Sequence, residues 1–181
     1  MSRSMNRREM LLAGGAAWLG AGALAKSSWG ADEGDVKKVL FFTKSSGFPH
    51  SVVTRQKGEL ALAEKTLIEL GKKHGFEVTA SKDGSLLEPD KIGQWDAFAF
   101  FTTGNLLVPG TDKTTALSEA GEKALYDAIR GGKGFISFHS ATDTFGHHAP
   151  RDKGGEDPYI QMIGGEFNGH GPQQEIGRAH V

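Results

Sequence analysis

The chain contains no cysteine in 181 residues. That removes thiolate nucleophiles, disulfide exchange and Cys-rich zinc sites, and leaves stability to the core or to a ligand. It has no apolar run long enough to span a bilayer comfortably, the longest being residues 11–25. Nor is there an excess of charge of one sign. Lys and Arg number 21 against 22 Asp and Glu, for a formal net charge of −1 and a pI near 6.7. Basic residues occur as isolated pairs such as Lys37 and Lys38 and not as a stripe, so nothing electrostatic points to nucleic acid. No GxGxxG follows the first expected strand, which argues against a dinucleotide, and no known zinc spacing is present. Internal repeats are likewise absent.

What is present is the composition of one globular domain, 38% hydrophobic and 24% charged. A separate object precedes it. Arg7 and Arg8 lead into the Gly/Ala-rich run of residues 11–25, and Ala23-Leu24-Ala25 offers an A-x-A cleavage site. The string NRREMLL resembles the twin-arginine export signal. An uncleaved anchor or a chance basic start is the competing reading. The expectation is a signal over residues 1–25, a polar linker over 26–35, and export to the periplasm or beyond by the twin-arginine machinery. That machinery carries folded proteins, so a cofactor could be loaded before export.

Residues 39–42 form a continuous apolar run suited to a strand buried on both faces. KSSGFPH breaks the run, and Ser51 is a candidate N-cap for a helix. That helix carries Leu60, Ala63, Leu67, Leu70 and His74 at helical spacing and stops at Gly75. Phe76, Val78 and Ala80 alternate as a second strand, and residues 97–101 form a third. Ser118 opens another helix through Ala124, Leu125, Ala128 and Ile129, ended by Gly131 and Gly132, and residues 134–138 form a fourth strand. Strands alternating with helices predict right-handed crossovers and an α/β, doubly wound, mostly parallel sheet. In such a sheet the carboxyl ends of the strands share one edge, where ligands bind. That gathers Ser45, Ser46 and His50, then Thr102, Thr103, Gly104 and Asn105, then the stretch from His139 to Asp143.

His139 follows an apolar strand, so it either caps the strand end as a hydrogen-bonded imidazole or works in a site. Ser140, Thr142 and Asp143 place hydroxyls and a carboxylate beside it, and Asp143 could orient an imidazole. A nucleophile elbow centred on Ser140 would need small flanking glycines, whereas Phe138 and Thr142 stand there. His50 lies on a Gly/Pro loop, where a ligand role and a turn role compete. The adjacent His147 and His148 read as surface loop, and His74 suits the end of a helix. Further on, MIGGEFNGHG supplies Glu166, Asn168 and His170 among glycines that argue for a loop. One imidazole, one carboxylate and one amide would suit a polyol substrate or a hard metal.

KSSGFPHSVV after the first strand, FFTTGNL after the third, GKGFISFHSATDTF and MIGGEFNGHG, in that order, resemble the ThuA-like (trehalose utilisation) family. The resemblance runs from about residue 36 to residue 174. It implies a flavodoxin-like, class I glutamine amidotransferase-like fold and a role in utilisation of trehalose and related disaccharides. It also implies that His139 stands at the elbow where amidotransferases carry a catalytic Cys, so glutaminase activity is not carried over. The positions it points to are His50, Gly104, His139, Ser140, Asp143, Glu166 and His170. The resulting expectation is an exported enzyme acting on a disaccharide or keto-sugar. His139, Asp143 and Glu166 would serve acid and base steps, with Ser46, His50, Gly104, Asn105, Ser140 and Asn168 as substrate contacts. A divalent metal through His50, His139 or His170 is a further expectation. Two readings stay beside it, a non-catalytic carbohydrate-binding or scaffold domain and an acyl hydrolase through Ser140. The last residues, IGRAHV over 176–181, match a reading frame of a sequencing adapter, so the domain is expected over 36–175 with a non-native tail and missing C-terminal sequence.

Overall fold

The computed structural model describes residues 35–145, 157–169 and 171. The expected export signal, the linker apart from Asp35, His147, His148, His170 and the 176–181 tail lie outside the described residues. No helix among the described residues is long and apolar enough to cross a membrane.

Four strands, β1 (Lys38–Phe42), β2 (Glu77–Ser81), β3 (Ala97–Phe100) and β4 (Gly134–Ser137), form one sheet in the order β2-β1-β3-β4. Every neighbouring pair is parallel, with Phe42 set beside Ser81 on one side and Phe100 on the other. This is the α/β doubly wound sheet expected, and its strand order is the flavodoxin-like one. The central strands explain the continuous apolar runs. Leu40, Phe41 and Phe42 of β1 and Phe98, Ala99 and Phe100 of β3 are all buried, because both faces of a parallel sheet are packed.

Among the described residues three α-helices accompany the sheet: α1 (Leu62–His74), α2 (Glu119–Arg130) and α3 (Pro158–Ile163). Helix α2 begins as its sequence predicts, with Ser118 Oγ accepting the Gly121 N–H at 3.0 Å, and it ends at Gly131. It buries Leu125 and Tyr126 on the sheet face made by Leu40, Phe42, Phe98 and Phe100, the main core. Burying each such side chain is worth roughly 1.5–3 kcal/mol.

Helix α1 departs from expectation at both its start and its face. Ser51 opens only a 3-10 turn, Ser51–Val53, with no side-chain cap, and the helix starts at Leu62. Ala61 precedes it and has no capping oxygen. The Glu64 carboxylate reaches back instead, accepting the Ala61 N–H at 2.9 Å. Glu64 is fully buried and also accepts from Thr43 Oγ1 at 2.6 Å and Arg55 Nε at 2.8 Å. A polar network therefore turns the helix so that Glu64 and Gly71 are its buried positions, while Leu62 and Leu70 stay exposed. Gly71 permits the approach to β2, since a Cβ there would lie 2.6 Å from the Phe76 carbonyl oxygen.

Beyond β1 and β2 two lysines fix the connection that leads to α2. Buried Lys44 donates from Nζ to the carbonyls of Thr114 and Thr115, each at 3.0 Å, and Lys82 Nζ lies 3.1 Å from Asp112 Oδ2. Burial holds the Lys44 amine below its ordinary pKa, against the opposing pull of Asp112 and Asp83.

Candidate functional site

In this strand order the chain leaves β1 toward β2 on one side and returns to β3 on the other, which opens a crevice at the carboxyl ends of β1 and β3. A pocket of about 530 Å³ lies there, lined by Phe48, His50, Thr103, His139, Ser140, Thr142, Asp143 and Phe167. Its volume falls within the range of roughly 300–1,000 Å³ usual for small-molecule sites. A second groove of about 310 Å³ lies between α1 and the sheet, lined by residues such as Phe41, Leu62, Leu67 and Phe138. Thr66 is its one polar lining side chain, so it has little with which to orient a polar ligand.

Three loops are fastened together to build the polar pocket. The loops after β1 and β3 pair through Ser45 and Thr103, and the Thr103 carbonyl accepts the N–H groups of Ser46 and Gly47 at 2.8 and 3.1 Å. Gly104 joins the third loop. Its N–H donates to the Asp143 carbonyl and its own carbonyl accepts the Phe145 N–H, both at 3.2 Å. A Cβ on Gly104 would sit 2.5 Å from the Gly47 nitrogen, and its φ is +71°. The loops therefore meet only because residue 104 is glycine.

The loop after β4 folds into a 3-10 turn, His139–Asp143. His139 takes a φ of +47°, uncommon for a residue with a side chain. Around it, Phe138 N–H donates to the Phe100 carbonyl at 2.8 Å and Ser140 Oγ donates to the Thr102 carbonyl at 3.2 Å. From α3, the buried Tyr159 donates its hydroxyl to the Ala141 carbonyl at 2.9 Å. Helix α3 starts where Asp157 Oδ1 accepts the Tyr159 and Ile160 N–H groups, with Pro158 at its first position. Beneath the turn, Thr102 and Thr144 share a hydroxyl hydrogen bond of 2.6 Å.

The imidazoles of His50 and His139 meet edge to face with centroids 4.6 Å apart, and Phe101 lies against both. Burial first, and then the neighbouring His139, hold His50 below its ordinary pKa, while Asp143 pulls it upward. His50 is therefore a neutral imidazole near pH 7, able to accept a proton. The Asp143 carboxylate lies beside Gly47, where a Cβ would stand 3.4 Å from its Oδ2.

Of the sequence-predicted residues, His50, His139, Ser140 and Asp143 line the pocket together. Glu166 and Asn168 are not among its lining residues. Their segment is tied to it by the Phe167 N–H, which donates to the Thr142 carbonyl at 3.0 Å. Ser46 and Asn105 serve the loops instead: Ser46 Oγ donates across to the Val108 carbonyl in the loop after β3 at 3.4 Å, and Asn105 Oδ1 accepts the Leu107 N–H within that loop at 2.9 Å. The Ser140 hydroxyl donates to a main-chain carbonyl and has no base bonded to it among the described residues, which weighs against an acyl-enzyme nucleophile. His170 lies outside the described residues. Among the described residues no three His, Asp or Glu side chains cluster as a metal-binding group, so His50 and His139 by themselves offer two imidazoles. Thr103 and Thr142, which the sequence placed at the sheet edge, line the pocket too, whereas sequence reasoning missed Phe48, Phe167 and Tyr159. The Asp157-Pro158 pair and Gly164, a helix start and stop, were the signal that could have located Tyr159 on a helix.

The family described as ThuA, trehalose utilisation, matches residues 38–181. The chain belongs to the ThuA family. Among solved structures, a ThuA-like protein from Bacteroides uniformis ATCC 8492 is similar at 17% identity, with a TM-score of 0.45. The match covers 76% of this chain and 48% of that one, so the ThuA chain described here spans about half the length of its solved relative. No curated protein matches it.

Proposed function

We propose that this ThuA-family protein is an exported, sugar-processing enzyme whose pocket performs acid and base steps on a disaccharide or keto-sugar. One observation carries the reading. At the crevice of the sheet, His50, His139 and Asp143 converge on one pocket lined with polar and aromatic side chains. An imidazole beside a second imidazole and a carboxylate can take a proton from a sugar hydroxyl and return it elsewhere. His139 and Asp143 are the acid–base residues of this proposal, and His50 and Ser140 position the substrate. Glu166, which does not line the pocket, stands on the loop that Phe167 ties to Thr142. The trehalose-utilisation description of the family supports the substrate class.

The test is turnover of trehalose and of keto-disaccharides by wild-type protein and by His139→Ala and Asp143→Ala variants. Loss of about 10²–10⁴-fold in kcat is expected from removing a general acid or base. Variants as fast as wild type would refute the roles. Export is tested separately by replacing Arg7 and Arg8 with lysine in a reporter fusion, which should keep the reporter in the cytoplasm.

A further inference from the structure

The pocket joins a polar interior to an apolar rim. His50, Thr103, His139, Ser140, Thr142 and Asp143 supply the interior, and Phe48 and Phe167 are its phenylalanines. Both residues are exposed, at 70% and 42%. Their backbones are fastened nonetheless: the Phe48 carbonyl accepts Thr103 Oγ1 at 2.9 Å, and the Phe167 N–H donates to the Thr142 carbonyl at 3.0 Å. Phe48 is further held edge-on to His50, with ring centroids 5.0 Å apart. An apolar ring kept in water on an anchored backbone, at the mouth of a polar pocket, marks a contact surface.

We propose that Phe48 and Phe167 are stacking platforms for the C–H face of a neutral pyranose ring. The inference rests on the carbohydrate reading above and narrows it. A pyranose carries hydroxyls around its edge and C–H groups on its faces, so one ring satisfies both the polar interior and the apolar rim. An acyclic polyol has the hydroxyls but no rigid apolar face. A sugar phosphate would need a cation, and no Lys or Arg lines this pocket among the described residues, whereas the Asp143 carboxylate does.

Isothermal titration of the full chain with trehalose, sorbitol and trehalose 6-phosphate tests this. Trehalose should bind, sorbitol should bind far more weakly, and the phosphate should not gain. Phe48→Ala and Phe167→Ala should each weaken trehalose about tenfold, the loss of a covered aromatic face. Phe48→Leu and Phe167→Leu, which keep apolar bulk without the face, should weaken it about threefold or more. Phe48→Trp should retain binding and change its fluorescence when trehalose is added, a readout that holds even if an alanine variant folds poorly. Trehalose bound equally by wild type and both leucine variants, or an unresponsive Phe48→Trp that still binds, overturns the platforms and leaves the carbohydrate reading intact. Tighter binding of the phosphate overturns the neutral-sugar assignment. Absence of binding by wild type to trehalose and to keto-disaccharides alike overturns the carbohydrate reading and the platforms together.

Discussion

Gly104→Ala separates a packing role for Gly104 from a substrate-binding one. At φ +71° an alanine pays the left-handed penalty of about 1 kcal/mol. Its Cβ would also fall 2.5 Å from the Gly47 nitrogen and 2.8 Å from the Ser46 carbonyl carbon, main-chain atoms that cannot rotate aside. Forcing main chain apart in a packed region costs about 1–3 kcal/mol more. The expected total of about 2–4 kcal/mol is a large share of the 5–15 kcal/mol typical of a domain. Gly75→Ala is the control, because Gly75 has a φ of +80° with nothing within 4 Å of its would-be Cβ, so it bears the strain without the clash. Denaturant unfolding should lower the midpoint for Gly104→Ala well beyond Gly75→Ala, with unchanged slope. Equal midpoints would refute the reasoning. Weakened sugar binding at unchanged stability would restore Gly104 as a substrate contact.

Three further outcomes follow from named contacts. Tyr159→Phe keeps the ring packing on Phe135 and Phe145 and removes one of two donors to the Ala141 carbonyl, the Thr144 N–H remaining, so it should cost about 0.5–1.5 kcal/mol in a urea midpoint and reduce turnover. Burial pushes the Glu64 carboxyl up, but hydrogen bonds from Arg55, Thr43 and Ala61 outweigh it and hold its pKa below the ordinary 4.5. Its contribution is therefore present above that value and lost as pH falls through the lowered one; Glu64→Gln should be less stable by about 1–3 kcal/mol at pH 7, a gap that closes in acid unfolding curves. In an NMR titration His50 should titrate below the ordinary 6.5; His139→Ala should raise that value by opening the pocket and removing a neighbouring imidazole, and Asp143→Asn should lower it.

The two central strands were legible because parallel strands buried on both faces write themselves as unbroken apolar runs, as in KVLFF and AFAF. Helix α2 was legible from Ser118 and Gly131. The start of α1 was not, because its N-terminus is closed by Glu64 within a network that joins Thr43 and Arg55, residues brought together only by folding. The same distinction divides the site. His50, His139, Ser140 and Asp143 could be gathered from topology, since parallel strands deliver their following loops to one edge. Ser46 and Asn105 lie on that edge too, yet short polar side chains in loops are often consumed by neighbouring main-chain groups. Phe48 and Phe167 were hidden for the opposite reason: an isolated Phe in a sequence reads as core, and only its exposure beside a pocket shows otherwise.

His139 brings these threads together. A residue with a side chain held at φ +47° carries strain, and strain of this kind persists only where surrounding contacts enforce it. Here they are enforced from three sides, by Phe138 on Phe100, Ser140 on Thr102, and Tyr159 on Ala141. None of these contacts involves the imidazole itself. The backbone turn is thus built independently of the residue it presents, and it sets an imidazole edge-on to His50 in a pocket where a core-capping histidine would have been buried. A purely structural histidine at this position would have no need of the strained turn. A His139→Gly variant should therefore keep or gain stability while losing activity, whereas a stability loss of more than about 1 kcal/mol would identify His139 as structural after all.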